Sequence, residues 1–440
     1  MTVQFRRELG LFDAVMVVAG GIVGVGIFAN PSNVARIVPD PLLILLVWTI
    51  GGVVALIGAF VWAELASRFP DVGGQYVYLH RAYHPVVGFL YGIALLFIIN
   101  GGSLAAVSIL FASYVDRSFV ALGPLGIKIA GAIALVSLTA INAVGVRAGK
   151  WTTNALMAAK ILGMLALVAL AFGRGAPAAS QFTAPPTVSF GLSRLLTALV
   201  PILFAYGGWQ SCANIAGEIR NPARNLARAN VFGVIVVVAL YLSLNVAYLW
   251  VLTPAQVAAS PALAADMARA AAGEAGARFV ALLITVSSLG FLAVVVLTGA
   301  RLYYAMATDG LMLAAAARLH PRYQTPVFAL WLQAAVSLVL LTTNTYDQLL
   351  SYVVFADWLF FGLTAAALFI VRRPAFAQAA AGAREDAAVA RVPGHPLTTA
   401  VFVAVAAGIV INSFFVYPTQ SAVGSGILLA AAAVYFVTHR

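Results

Sequence analysis

Gly20-Gly21-Ile22-Val23-Gly24-Val25-Gly26 interrupts the first apolar segment of the chain, and Phe204-Ala205-Tyr206-Gly207-Gly208-Trp209 interrupts the sixth. Glycine disfavours a helix interior by about 1 kcal/mol relative to alanine, so a cluster of it lets a helix unwind. Gly24 lies about 13 residues, roughly 20 Å, from the start of its segment, and Gly207 about 15 residues, roughly 22 Å, from the start of its own. In a hydrocarbon layer about 30 Å thick both interruptions fall inside. Irregular backbone is tolerated there only where it lines a cavity or packs in protein. Glycine-broken helices at matching positions of two halves are the sequence pointer to a transporter's binding site. Unwound turns expose N–H groups that can hold a carboxylate and C=O groups that can hold an ammonium. That set suits a zwitterionic α-amino acid. Gly20 to Gly24 also spells GxxxG, and helix packing alone is the competing reading. Gly24 to Ala29 matches GxGxxA, but without a preceding soluble strand or the expected downstream acid this is no dinucleotide fingerprint.

Composition agrees with a bilayer. Of 440 residues, 63% are hydrophobic and 9% charged, with mean hydropathy +1.00; soluble domains carry roughly 25% charged residues. The single cysteine, Cys212, excludes an internal disulfide and a cysteine metal cluster. The five histidines form no metal-ligand spacing, so neither metal nor cofactor is expected. A basic pI near 10 fits a positive-inside bias better than nucleic-acid binding. The first apolar segment follows Phe5-Arg6-Arg7-Glu8 and runs past Asn30 without a small-residue cleavage site, so it reads as a retained span.

A spanning helix needs about 20 mostly apolar residues. Twelve segments qualify: 11–38, 41–68, 84–115, 124–143, 150–172, 192–217, 229–253, 278–307, 325–342, 348–371, 397–416 and 422–438. They are called helices 1 to 12 below. The expectation is an all-α polytopic membrane protein. Seventeen Lys and Arg fall on one side of these segments and seven on the other, which makes the richer side cytoplasmic and puts both termini there. Residues 373–396, with Arg384, Glu385, Asp386 and Arg391, read as a cytoplasmic loop. Residues 254–277 read as an outside loop with a short surface helix.

Few charges lie at depth. Lys160 stands about ten residues, roughly 15 Å, along helix 5 from Lys150, too deep to snorkel. An ammonium at the bilayer centre costs about 2.5–3.5 kcal/mol and must find a partner or go neutral. It is expected to bridge carbonyls freed by the break in helix 1, or to titrate. Asp357 lies deep in helix 10, as a functional acid or a locally satisfied one. Ser287 and Ser288 in helix 8 are secondary candidates. Glu64, Glu218 and Asp309 fall near cytoplasmic ends, expected to pair with Arg68, Arg220 or other loop arginines. Asp13 suits the helix 1 dipole. Phe204 and Trp209 flank the helix 6 break as candidate gates, with aromatic packing as the alternative.

These residues resemble the L-type branch of the amino acid–polyamine–organocation superfamily. Its helix 1 pattern, close to GxIIGxGIF, is found from Gly20 to Phe28, and its helix 6 pattern FAYGGW stands intact from Phe204 to Trp209. The acid–x–x–Asn-Pro–x–x–Asn signature follows as Glu218, Asn221, Pro222 and Asn225. Phe69-Pro70, Gly73 to Tyr76, Arg301 to Gly310 and Arg391 to Pro396 extend the likeness over nearly the whole chain. The resemblance implies a LeuT-like 5+5 inverted repeat: residues 1–173 (helices 1–5), residues 192–372 (helices 6–10) and residues 397–440 (helices 11 and 12). It implies sodium-independent amino-acid exchange by alternating access and no enzyme activity. By analogy Ile22, Gly24, Val25 and Gly26 meet the substrate carboxylate, Phe204, Ala205 and Gly207 border the ammonium, and Lys160 matches the family's helix 5 lysine.

Departures are also visible. Animal members join an ancillary glycoprotein through an external cysteine; the sole cysteine here lies in helix 6, so no disulfide-linked subunit is expected, only a monomer or weak homodimer. Gln210 stands where many members have asparagine, Asn100-Gly101-Gly102-Ser103 replaces a serine-rich stretch, and Ala293 replaces a polar residue. The expected activity is exchange of neutral L-amino acids across the inner (cytoplasmic) membrane. Proton-coupled uptake of amino acids or amines, with Lys160 or Asp357 as carrier, is the alternative. A channel or a non-transporting amino-acid sensor are further classes. The paired acids, Ser/His pairs or zinc ligands of an intramembrane enzyme are not found.

Overall fold

A computed structural model describes residues 5–175, 191–343, 346–374, 376, 390–416 and 418–438. Arg384, Glu385, Asp386 and Arg440 lie outside them. Among the described residues the architecture is helical, and the one β pairing is an isolated parallel bridge between Leu9 and Ile219. Nine helices are long and apolar enough to cross a membrane, and one bent pair adds a tenth. Val327–Thr343 and Phe355–Val371 are shorter apolar helices. The chain is a polytopic membrane protein.

The apolar sequence segments fall on helices, some of them divided, and several limits shift. Helix 7 begins at Pro222, a favourable first-turn residue, seven residues before the expected start. Helix 8 is part of a run from Leu263 to Thr308 that reverses at Ala272–Gly273, where Gly273 adopts φ 65°. The alanine-rich residues 263–277 are thus helical on both sides of that break rather than a loop, after the short helix Pro254–Ala259. Asp40 caps helix 2 by accepting from the Leu43 N–H at 2.9 Å. Helix 3 contains a π-helical turn, Leu95–Ile99, directly before Asn100.

Both predicted breaks are present. Helix 1 divides into 1a (Leu11–Ile22) and 1b (Gly26–Ile37), bent by 43°. Helix 6 divides into 6a (Leu192–Tyr206) and a 3₁₀ run, 6b (Trp209–Glu218), joined by Gly207-Gly208. The two breaks press against each other. Gly208 adopts φ 124°, which L side chains rarely do, and a Cβ on Gly21 would lie 2.8 Å from the Gly208 carbonyl oxygen. Helices 3 and 10 pack together beside the broken pair, and helices 5, 7 and 8 pack behind helix 1.

Candidate transport site

The breaks free backbone carbonyls, and a buried carbonyl without a partner is costly. Two side chains from neighbouring helices meet them. The Tyr241 hydroxyl on helix 7 lies 3.2 Å from the Ile22 oxygen and 3.3 Å from the Ala205 oxygen, able to donate its proton to either. It therefore ties the two breaks together through one oxygen. Trp48 and Tyr206 wedge this phenol in place, with ring centroids 6.0 and 5.1 Å from it. Lys160, completely buried, donates its ammonium to the Val23 carbonyl. On 6a the Pro201 carbonyl accepts from the Asn30 side chain of 1b at 2.7 Å.

What these ties leave open is a cavity of about 100 Å³. A water needs roughly 10–15 Å³ on this measure, so several waters or one small solute fit. Ile22, Gly24, Val25 and Gly26 from helix 1 and Phe204, Ala205 and Gly207 from helix 6 all line it. Helix 1b starts at Gly26, and the leading N–H groups of a helix have no partner of their own. They bring partial positive charge to one end of the cavity. Gly26 is needed for closeness: a Cβ there would stand 2.9 Å from Ala205 Cα. Asn100 and Ser103 of helix 3, Gln210 and Ser211 of helix 6, and Asp357 and Trp358 of helix 10 complete the polar lining, with Phe291 of helix 8 lying over Gly24.

Other expected residues stand elsewhere. Trp209 is fully buried one layer beyond the lining, among Trp62, Phe361 and Phe402, with its ring 5.2 Å from that of Phe361. Ser287 and Ser288 are buried in helix 8 and are not among the residues that line the cavity; Ser288 donates to the Ile284 carbonyl at 2.8 Å. Tyr241 and Phe291 were not found by the sequence reading. A phenol in the middle of an apolar helix was the available signal for the first. Nothing marked the second.

The arginine-rich face is sealed below the cavity. Leu9 pairs with 6b, its N–H donating to the Glu218 carbonyl at 3.0 Å and its carbonyl accepting from Arg220 N–H at 2.9 Å. The Glu218 carboxylate accepts from Arg301 Nε of helix 8 at 2.8 Å, both side chains buried. Of the arginines expected near Glu218, Arg301 is thus the partner, and Arg220 donates to the Arg7 carbonyl at 3.3 Å. Gly73 N–H reaches the Asn214 carbonyl of 6b at 3.3 Å. Asp13 binds Lys150 at 2.8 Å and Asn154 at 2.7 Å, fixing 1a to helix 5. Nearby, Tyr76 donates to Asp309 at 2.7 Å and touches His80. Burial holds the His80 imidazole below its ordinary pKa, against the opposing pull of Asp309.

Two half-helices whose peptide groups open on a cavity within the apolar layer, with a seal on one side, define a membrane carrier of small solutes. Comparison with known proteins agrees. The sequence profile described as amino acid permease matches residues 9–438, and the chain belongs to that family, in the L-type branch. It is similar to the mouse b(0,+)-type amino acid transporter 1 (30% identical over 379 residues, covering 84% of this chain and 77% of that one). The serine/threonine exchanger SteT of Bacillus subtilis is also 30% identical, with 84% of both chains covered. The mouse large neutral amino acids transporter small subunit 2 is 28% identical, covering 84% and 71%. The chain is an amino acid transporter and not an enzyme.

Proposed function

We propose that this chain exchanges neutral L-amino acids across the inner membrane, without sodium, by alternating access. The observation that carries this is the facing pair of breaks. Helix 1b offers N–H groups for the α-carboxylate, and the end of 6a offers carbonyl groups for the α-ammonium. Lys160 stands on the Val23 carbonyl where a structural cation would otherwise be needed, which supports sodium independence. Twelve spans, an inverted repeat of residues 1–173 and 192–372 followed by 397–440, and cytoplasmic termini complete the reading. The arginine bias supports the orientation. In this cycle Phe204 closes over the solute. Release inward requires parting Leu9 from Ile219 and opening the Glu218–Arg301 region. The chain works as a monomer or weak homodimer. Its sole thiol, Cys212, is buried in 6b and cannot reach an external cysteine.

The test is counterflow in proteoliposomes. Unlabelled neutral amino acid inside should accelerate uptake of labelled amino acid from a sodium-free medium severalfold. Equal rates with and without internal substrate would end the exchange reading. Asp357 in the lining favours a second reading, proton-coupled symport. An inward pH gradient that drives accumulation into empty vesicles would select it.

A further inference from the structure

We propose that the exposed start of helix 7 binds an anionic phospholipid, whose headgroup is held by Arg224 and Arg228 with Arg220 beside them. The inference needs helix 7 in a bilayer and is independent of which solute is carried.

Helix 7, Pro222–Val251, has 30 residues, about 45 Å at 1.5 Å per residue. A hydrocarbon core about 30 Å thick takes about 20 of them. Counted back from Val251, the core ends near Phe232, and the residues before it project into the headgroup layer. Exposure along the helix changes chemistry at that level. Arg224, Arg228, Phe232 and Val236 recur at intervals that keep them on one face, and all are exposed. Ile235 joins them; Phe232 is 50% and Ile235 46% exposed. The other side of helix 7, with Leu226, Asn230 and Val234 buried, packs on helices 1 and 2. One face thus presents guanidinium groups at headgroup depth and hydrocarbon beside them. Those are the parts of a phospholipid in their order.

The charges call for an outside partner. Among the described residues no carboxylate lies within ion-pair distance of Arg220, Arg224 or Arg228, whereas Arg68, Arg81, Arg301 and Arg372 each hold an acid. The first turn of helix 7 carries no acid, and cations at that end oppose the helix dipole. These arginines therefore do not serve the helix. Arg220 is exposed and donates from Nε to the Arg7 carbonyl at 3.3 Å. A guanidinium fork matches two oxygens of one phosphate. An anionic lipid keeps its negative charge there, while the ammonium of a zwitterionic lipid would meet the next arginine. The acyl chains then lie along Phe232, Ile235 and Val236, which a soluble phosphate could not use. Because Arg220 N–H also holds the Leu9 carbonyl, the lipid would adjoin the seal.

The experiment uses the full chain in a neutral detergent at constant ionic strength. Dioctanoyl phosphatidylglycerol, dioctanoyl phosphatidylcholine and glycerol 1-phosphate are the probes, and the unfolding midpoint is read against their concentration. Phosphatidylglycerol should raise the midpoint saturably, with half its effect at about a tenfold lower concentration than phosphatidylcholine. Arg224→Gln combined with Arg228→Gln should raise that concentration about tenfold. Arg318→Gln combined with Arg322→Gln, which removes two other exposed cations, should leave it within about twofold. Arg224→Lys with Arg228→Lys should fall between wild type and the glutamine pair, because an ammonium keeps the charge without the fork. Equal action of the two lipids, or an equal loss in the Arg318 and Arg322 pair, would reduce the patch to net charge and overturn the inference. Stabilisation by glycerol 1-phosphate equal to that by phosphatidylglycerol would make it a site for soluble phosphate and overturn it as well. Should the glutamine pair fail to fold, the three probes on wild-type protein still decide.

Discussion

Glu64 and Asp357 are both acids within the helical bundle, and their surroundings are opposite. Glu64 is completely buried and saturated: it accepts from Arg68 at 2.8 Å, from Arg372 Nε at 2.9 Å and from the Val392 N–H at 2.8 Å. It joins helix 2 to the end of helix 10 and to the segment before helix 11. Asp357 lines the cavity with no donor among the described residues. An acid with every lone pair engaged holds a structure together. An acid left open is available to something that arrives and leaves. Satisfaction of hydrogen bonds, more than burial, separates scaffold from site here.

Substitutions can break this contrast. The largest effect on stability is expected from Glu64→Ala, which strands Arg372 in a half-buried position; removal of one partner of a buried pair costs about 3–5 kcal/mol. Thermal unfolding in detergent should show it as a clear loss, while Asp357→Ala should leave the midpoint close to wild type or raise it. A large drop on removing Asp357 would erase the distinction. The next effect is functional. Gly26→Leu forces a side chain onto Ala205 and should abolish substrate binding, read as loss of ligand-induced thermal stabilisation. Lys160→Ala, which removes the bond to the Val23 carbonyl, should lower exchange by about 100-fold, about 2.7 kcal/mol, with the protein still in the membrane. Normal flux would deny it a role. Tyr241→Phe keeps the ring but removes the oxygen shared by the two breaks, and about 1 kcal/mol of stability should go with it.

The smallest effect concerns pH. His80 has a folded pKa below its unfolded value near 6.5, because burial disfavours the charged ring. Its contribution to stability is therefore complete above that value and is lost as pH falls below it. A slight decline in unfolding temperature from pH 7 to 5 should be smaller in His80→Gln.

The parts visible in the sequence are those written in local composition. Two glycine clusters announced the broken helices, twelve apolar runs the helical segments, and a lone lysine at depth its carbonyl partner. What stayed hidden depends on rotation and long-range meeting. Helices 3, 8 and 10 are apolar on nearly all sides, so periodicity assigns no inward face. Ser287 and Ser288 were for that reason only secondary candidates, and Phe291 went unnoticed. The partners of Glu64 come from Arg372 and Val392, 308 and 328 residues away. Arg301 is 83 residues from Glu218. No local pattern encodes such pairs. Trp209 belongs to the right motif, yet its side chain turns into an aromatic layer beyond the cavity.

The π-turn of helix 3 deserves a genetic reading. A π-turn holds one more residue than the α-turn it replaces, and so rotates everything after it by about 100°. Leu95–Ile99 therefore acts as the spacer that aims Asn100 and Ser103 at the lumen. Deleting Phe97, whose ring is largely outside the core at 47% exposure, would restore a regular spiral and swing that wall out of line. A single lost codon there would cost selectivity before it cost the fold.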